Sequence, residues 1–223
     1  MKALLLAAGR GERMGALTLD CPKPLLSIGK ERLIERHVRR LKIAGIDEVV
    51  VNLYYLGHQI KSLLGDGAAY GLRVVYSEEA SRLETGGGAR QALSLLGTEA
   101  PFLMISSDVV TDFDFRSLTQ KKPDLAHLVL VPNPVHHDDG DFALTPTQSV
   151  MPGSDLTYSG IGVIAPALIT SNAESCFAMR EVLFPAAEQG RLTGCVHDGY
   201  WSDVGTPERL QATRADFQAG LCR

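Results

Sequence analysis

Arg13 and Lys23 are two cations ten positions apart, set among Gly9, Gly11, Pro22 and Pro24. They follow Leu4-Leu5-Leu6-Ala7-Ala8, an apolar run that reads as a buried strand emptying into a glycine turn. Where no Cβ intervenes, backbone N–H groups approach an anion closely, and fixed cations neutralise it. That is the chemistry of a polyphosphate mouth. The stretch lacks the lysine-hydroxyl ending of a P-loop and the third glycine of a dinucleotide fingerprint, so the glycines alone define neither.

Carboxylates come next. Asp108 closes Ile105-Ser106-Ser107-Asp108, and Asp203 sits 95 residues later in Trp201-Ser202-Asp203-Val204-Gly205. Two carboxylates at two strand ends can hold Mg²⁺ while phosphate oxygens complete its octahedron. Asp112 and Asp114 precede a helix-like stretch and read as capping residues. In Leu83-Glu84-Thr85-Gly86-Gly87-Gly88-Ala89, three glycines before a helix leave backbone free to touch a base edge or a phosphate. Asn52 closes a strand and could reach a sugar hydroxyl or a base edge, or cap a turn. His136 and His137, beside Asp138 and Asp139, read as solvated loop residues without a third metal ligand. His37 reads as packed and satisfied on an apolar helix face.

These groups must be positioned by alternating elements. Strands are predicted over residues 2–7, 48–52, 73–76 and 101–106, and helices over 31–44, 56–64 and after Gly88. Such alternation predicts a mainly parallel sheet with helices on both faces and ligands at the carboxyl ends of the strands. Beyond Asp108 the pattern turns strand-rich, with strands over 126–132, 141–144 and 158–164 around the polar loop 133–140. This half reads as a mixed extension of the sheet forming one cleft wall. A helix near 178–189 and a terminal helix capped by Thr206 with Pro207 at its first position complete the chain.

At 223 residues the chain suits one large α/β domain, residues 1–110 forming a nucleotide-binding half and 111–223 a sugar-binding half. A net charge of −4 without a basic block argues against a nucleic-acid partner, so a bound anion must be held by a few placed cations. No charged leader or bilayer-length apolar run is evident, so a cytoplasmic protein without a membrane partner is expected. The four cysteines lack metal-ligand spacing and are expected as free thiols.

Together, Leu6-Ala7-Ala8-Gly9-Arg10-Gly11-Glu12-Arg13-Met14, Pro22-Lys23-Pro24-Leu25, Asp108 and Trp201-Ser202-Asp203-Val204-Gly205 resemble the signature of the sugar-1-phosphate nucleotidyltransferase family. The resemblance implies an α/β Rossmann-like three-layer sandwich of the nucleotide-diphospho-sugar transferase type. It implies a nucleoside triphosphate and a sugar-1-phosphate as substrates, Mg²⁺ as cofactor, and a monomer or small homo-oligomer. By the same resemblance Leu6, Ala8, Gly9 and Gly11 wrap the nucleotide, and Glu84, Gly86 and Gly87 face its base. Arg13 meets the leaving pyrophosphate, Lys23 the α-phosphate, and Asp108 and Asp203 the metal. Asp141, Ser159 and Gly160 lie in segments similar to sugar-facing ones, and Asn52 joins them as a substrate-binding candidate. The short chain and the 83–88, 108–115 and 133–142 segments are similar to members that use UTP and N-acetylmuramic acid 1-phosphate in cell-wall recycling. Another hexose-1-phosphate, phosphocholine with CTP, or a non-catalytic sensor of nucleotide sugars are the competing readings. Gly15-Ala16 stands where the family has Arg-Pro, which implies a looser pyrophosphate end. Ser106-Ser107 replaces a glycine-containing pair before the metal aspartate.

Overall fold

The computed structural model describes Met1 to Cys222. The chain opens on β1 (Ala3–Leu6), and two 3-10 segments, Glu12–Thr18 and Lys23–Leu25, lead to a small hairpin of β2 (Ser27–Ile28) and β3 (Glu31–Arg32). The helix expected from residue 31 therefore begins later, because Glu31 and Arg32 pair in the hairpin. Helices and strands then alternate as α1 (Leu33–Ile43), β4 (Glu48–Leu53), α2 (Gly57–Leu64), β5 (Arg73–Glu78), α3 (Glu84–Leu96) and β6 (Phe102–Ser106).

The second half is richer in strands. It comprises β7 (Val109–Thr111), β8 (Ala126–Pro132), β9 (Phe142–Leu144), β10 (Val150–Pro152) and the long β11 (Leu156–Ile164). There follow α4 (Pro166–Thr170), α5 (Arg180–Glu188), β12 (Leu192–Val196), β13 (Trp201–Asp203) and α6 (Pro207–Gln218). The Thr206 side chain accepts the Arg209 N–H at 3.3 Å, which caps α6 as its sequence suggests.

One nine-stranded sheet runs in the order β10-β9-β11-β6-β1-β4-β5, with β8 beside β11 and β12 beside β8. β5, β4, β1 and β6 are parallel neighbours, whereas β11 runs antiparallel to β6 and β8. The central strands are apolar on both faces because helices cover both. Leu4, Val50 and Met104 point into a core with α3, α4 and α5, while Leu5, Val51 and Ile105 point into a second core with α1 and α2. Each such leucine or isoleucine contributes about 1.5–3 kcal/mol by leaving water. This is the three-layer sandwich expected from the alternation.

Two features of this framework position the site. Parallel register aligns the carboxyl ends of three strands, with Leu6 beside Asn52 on one side and Ser106 on the other. A third, smaller core of Met14, Val110, Val204 and Leu210 joins the first loop, the β7/β13 ladder and α6. Residues 13, 108 and 203, far apart in the chain, thus share one hydrophobic foundation.

Candidate active site

The loop after β1 is shaped by what its glycines allow. Gly11 has φ +66°, and a Cβ there would lie 3.1 Å from Thr18 Cγ2 and 3.3 Å from Lys23 Cβ. Both conformation and space therefore call for glycine where the first loop folds onto the Pro22–Pro24 turn. Gly9 has nothing within 4 Å of its missing side chain and faces open space. Buried Met14 anchors the 3-10 segment and leaves Arg13 exposed on its outer side. The Gly15 turn (φ +58°, ψ −130°) is tied down, not loose. Thr18 Oγ1 donates to Gly11 O at 2.9 Å and to Gly15 O at 3.3 Å, and Tyr55 Oη donates to Thr18 O and Leu19 O.

A cavity of about 370 Å³ opens over this loop. Leu6, Ala8, Gly9, Gly11, Arg13, Lys23, Glu84 and Thr85 are among the residues of its wall. Lys23 Nζ is ion-paired to Asp108 Oδ2. Asn52 lines the same cavity, but its side chain is already engaged. Its Oδ1 accepts the Ala7 N–H at 2.7 Å, and its Nδ2 donates to Glu79 Oε1 at 2.7 Å. It therefore belongs to the first cavity rather than with the sugar-facing candidates, and it braces the loop. Glu79 is buried, and that burial pushes its carboxyl above the ordinary glutamate range, opposed by the Asn52 hydrogen bond.

Gly86 and Gly87 stand apart from this wall. They lie in the first turns of α3 rather than before it, line neither cavity, and both donate their N–H groups to Phe177 O, at 2.9 and 3.1 Å. A Cβ on Gly86 would overlap the Phe177 ring, and one on Gly87 would overlap Ser175 O. The expected base-facing glycines are thus packing glycines. A strap before α5 occupies the amides that a ligand would need.

A second cavity, of about 360 Å³, adjoins the first and shares Arg13, Ser106 and Asp108 with it. Asp203 lines it, brought to Asp108 by the β7/β13 ladder: Asp203 pairs with Val109, and the Val204 N–H donates to Asp108 O at 2.9 Å. Asp203 is held by Arg209 Nη1 and by His136 Nε2, each at 2.9 Å. Asp141 also lines the cavity; its Oδ2 accepts the Tyr158 N–H at 2.9 Å and its Oδ1 meets His137 Nε2 at 3.1 Å. The paired histidines keep about two-fifths of their side-chain surface in water, yet each meets an aspartate, and together they clasp the 133–140 loop onto two aspartates of this cavity. Ser159 lines it too, but the buried Oγ donates to Val129 O at 2.6 Å and accepts the Ile161 N–H, and its backbone carbonyl accepts the Trp201 Nε1–H at 3.0 Å. Gly160 (φ +79°) makes the bulge in β11, and its missing Cβ leaves room for Ser106 Oγ. Ser107 N and Oγ both donate to Leu6 O, so the serine pair seals the strand end.

The residues fit a divalent cation of the Mg²⁺ kind. Asp108, in the turn before β7, and Asp203, at the end of the paired strand β13, offer only hard oxygen donors, and Mg²⁺ characteristically takes one or two carboxylates with phosphate oxygens and water. Among the described residues no group of three or more acidic, histidine or cysteine side chains forms a protein-only metal cage. Glu79, Arg82 and Arg209 line the cavities without having been singled out in the sequence. Of these, only Glu79 carried a usable signal, as the second of two adjacent carboxylates at a strand end. His37, read as satisfied, is buried, and neither ring nitrogen has a side-chain hydrogen-bond partner.

A glycine loop with two cations, joined at a shared aspartate to a second polar cavity, suits a transferase of phosphorus-containing groups on an α/β sandwich. Residues 2–140 match the family of nucleotidyl transferases, and the chain belongs to that family. It is 48% identical to N-acetylmuramate alpha-1-phosphate uridylyltransferase of Neisseria meningitidis serogroup B, over 96% of this chain and 97% of that protein. It is 30% identical to the protein of the same name from Caulobacter vibrioides, over 96% and 95%. A crystal structure of a Bacillus anthracis protein in complex with sucrose has the same fold, at TM-score 0.85 and 21% identity, covering 96% of this chain and 94% of that one. No helix among the described residues is long and apolar enough to cross a membrane.

Proposed function

We propose that this nucleotidyltransferase moves a uridylyl group from UTP to N-acetylmuramic acid 1-phosphate, releasing pyrophosphate, with Mg²⁺ as cofactor. The observation that carries the reading is the meeting of two cavities at Arg13, Ser106 and Asp108, one suited to a triphosphate and one to a sugar phosphate. The choice of acceptor and base rests on the 48% identity to the Neisseria enzyme.

An anionic oxygen of the acceptor phosphate attacks the α-phosphorus of UTP, a new P–O bond forms, and the bond to the bridging oxygen breaks. Pyrophosphate departs with that oxygen. The nucleophile is ionised near pH 7, so the reaction needs alignment and charge neutralisation rather than a general base. Lys23 neutralises the α-phosphate and Arg13 the departing pyrophosphate. Asp108 and Asp203 would hold Mg²⁺, which when bound would supply Lewis-acid neutralisation of phosphoryl oxygens. Backbone from Leu6 to Gly11 wraps the nucleotide, Glu84 and Thr85 wall in the base, and Asn52 acts through Ala7. Asp141 and the Ser159–Gly160 backbone receive sugar hydroxyls. Residues 1–110 thereby serve chiefly the nucleotide and 111–223 the sugar, within one catalytic unit.

A pyrophosphate-release screen of the four nucleoside triphosphates against a panel of sugar-1-phosphates tests this. UTP with N-acetylmuramic acid 1-phosphate is expected to be the fastest pair. Faster turnover with another hexose-1-phosphate, or with CTP and phosphocholine, would replace the acceptor. Silence from every pair would remove the catalytic reading.

A further inference from the structure

Arg209 holds Asp203 in an arrangement that leaves the guanidinium incompletely used. Its Nη1 lies 2.9 Å from both carboxylate oxygens, yet its Nε is buried with no hydrogen-bond partner. Its Nη2 rests against Gly205 so closely that any Cβ there would overlap it, which gives that glycine its reason. Arg13 Nη2 lies 3.3 Å from the same Cβ position, and Arg13 makes no ion pair among the described residues. Two guanidinium groups therefore meet over one glycine, one of them paired with Asp203, and His136 Nε2 lies 2.9 Å from the same carboxylate.

A divalent cation on Asp203 would take the oxygens that Arg209 now occupies and would repel the neighbouring fork. We propose that Arg209 is an exchangeable counter-ion: it competes with the metal for Asp203, and it yields when a phosphate group offers its planar donors a better partner. Metal binding is thereby conditional on phosphate, which withholds a charged metal site from an empty cleft. The inference rests on the reading of Asp203 as a metal ligand and deepens it.

The test is Mn²⁺ binding by the full chain, followed from the electron paramagnetic resonance of free Mn²⁺, without nucleotide or sugar phosphate. Arg209→Met is expected to bind Mn²⁺ about tenfold or more tightly than the parent protein. Inorganic phosphate is expected to tighten Mn²⁺ binding by the parent and to leave Arg209→Met nearly unchanged. Arg209→Lys, which keeps the charge and loses the fork, is expected to fall between them. Equal or weaker binding by Arg209→Met with a native circular dichroism spectrum overturns the proposal. If Arg209→Met does not fold, Arg209→Lys binding no more tightly than the parent overturns it instead. Asp203→Asn separates the two ideas: undiminished Mn²⁺ binding in that variant removes the metal-ligand reading itself, whereas a large loss leaves the Arg209 comparison decisive.

Discussion

Asn52 Oδ1 accepts the Ala7 N–H at 2.7 Å, and this bond fixes the exit of β1 against the end of β4. The other half of the amide donates to Glu79, so one buried side chain sets loop, strand and cavity wall together. A group leaving either partner unmet costs about 1–3 kcal/mol per buried polar atom. Asn52→Leu leaves two such atoms unmet and is therefore expected to lose about 2–6 kcal/mol in urea unfolding. Asn52→Asp keeps the acceptor for Ala7 but sets a second carboxylate against Glu79, and should lose stability more steeply as pH rises above the carboxylate range.

The Lys23–Asp108 pair stands where the two cavities join. Removing a placed electrostatic stabiliser lowers turnover by about a hundredfold or more. Lys23→Ala and Asp108→Ala should each do so in a pyrophosphate-release assay while circular dichroism remains native. Wild-type turnover in both variants would contradict the assigned chemistry.

Gly86 and Gly9 should answer the same substitution differently. Gly86→Ala forces a methyl into the Phe177 ring and is expected to cost about 1–3 kcal/mol of stability by overpacking. Gly9→Ala has no neighbour within 4 Å to strike, so its melting temperature should hold while the KM for nucleotide rises. Equal thermal losses in the two variants would contradict this division of labour.

His37 gives a pH signature. Burial, assisted by the nearby Arg40 charge, lowers its pKa from 6.5 to about 4. Above pH 6.5 both folded and unfolded forms are neutral and this residue adds no pH dependence. Between pH 6.5 and about 4 the unfolded chain takes up a proton that the folded one refuses, so stability falls with pH by up to about 1.4 kcal/mol per unit. Urea unfolding at pH 7 and pH 5 should show the loss, and His37→Leu should lessen it. His127, also shifted to about 4 chiefly by burial, leaves a residual slope in that variant.

Local chemistry wrote much of this molecule into its sequence. Apolar runs stopped by glycine specify β1 and β4, and Thr206-Pro207 specifies the start of α6, because strand burial and helix capping act over a few residues. The cations and carboxylates were also legible, Arg13 and Lys23 from the glycine- and proline-framed loop after β1, Asp108 and Asp203 from the ends of apolar strands. Partnership was not legible. Nothing near His136 announces Asp203, and nothing near Gly86 announces Phe177, because those contacts come from β-ladder register and from a strap packed across α3. Sequence determined which groups could bind phosphate and metal. Tertiary packing alone decided which stayed free to do so: it consumed the amides of Gly86 and Gly87 and the hydroxyl of Ser159, and it left Arg13 open between two cavities.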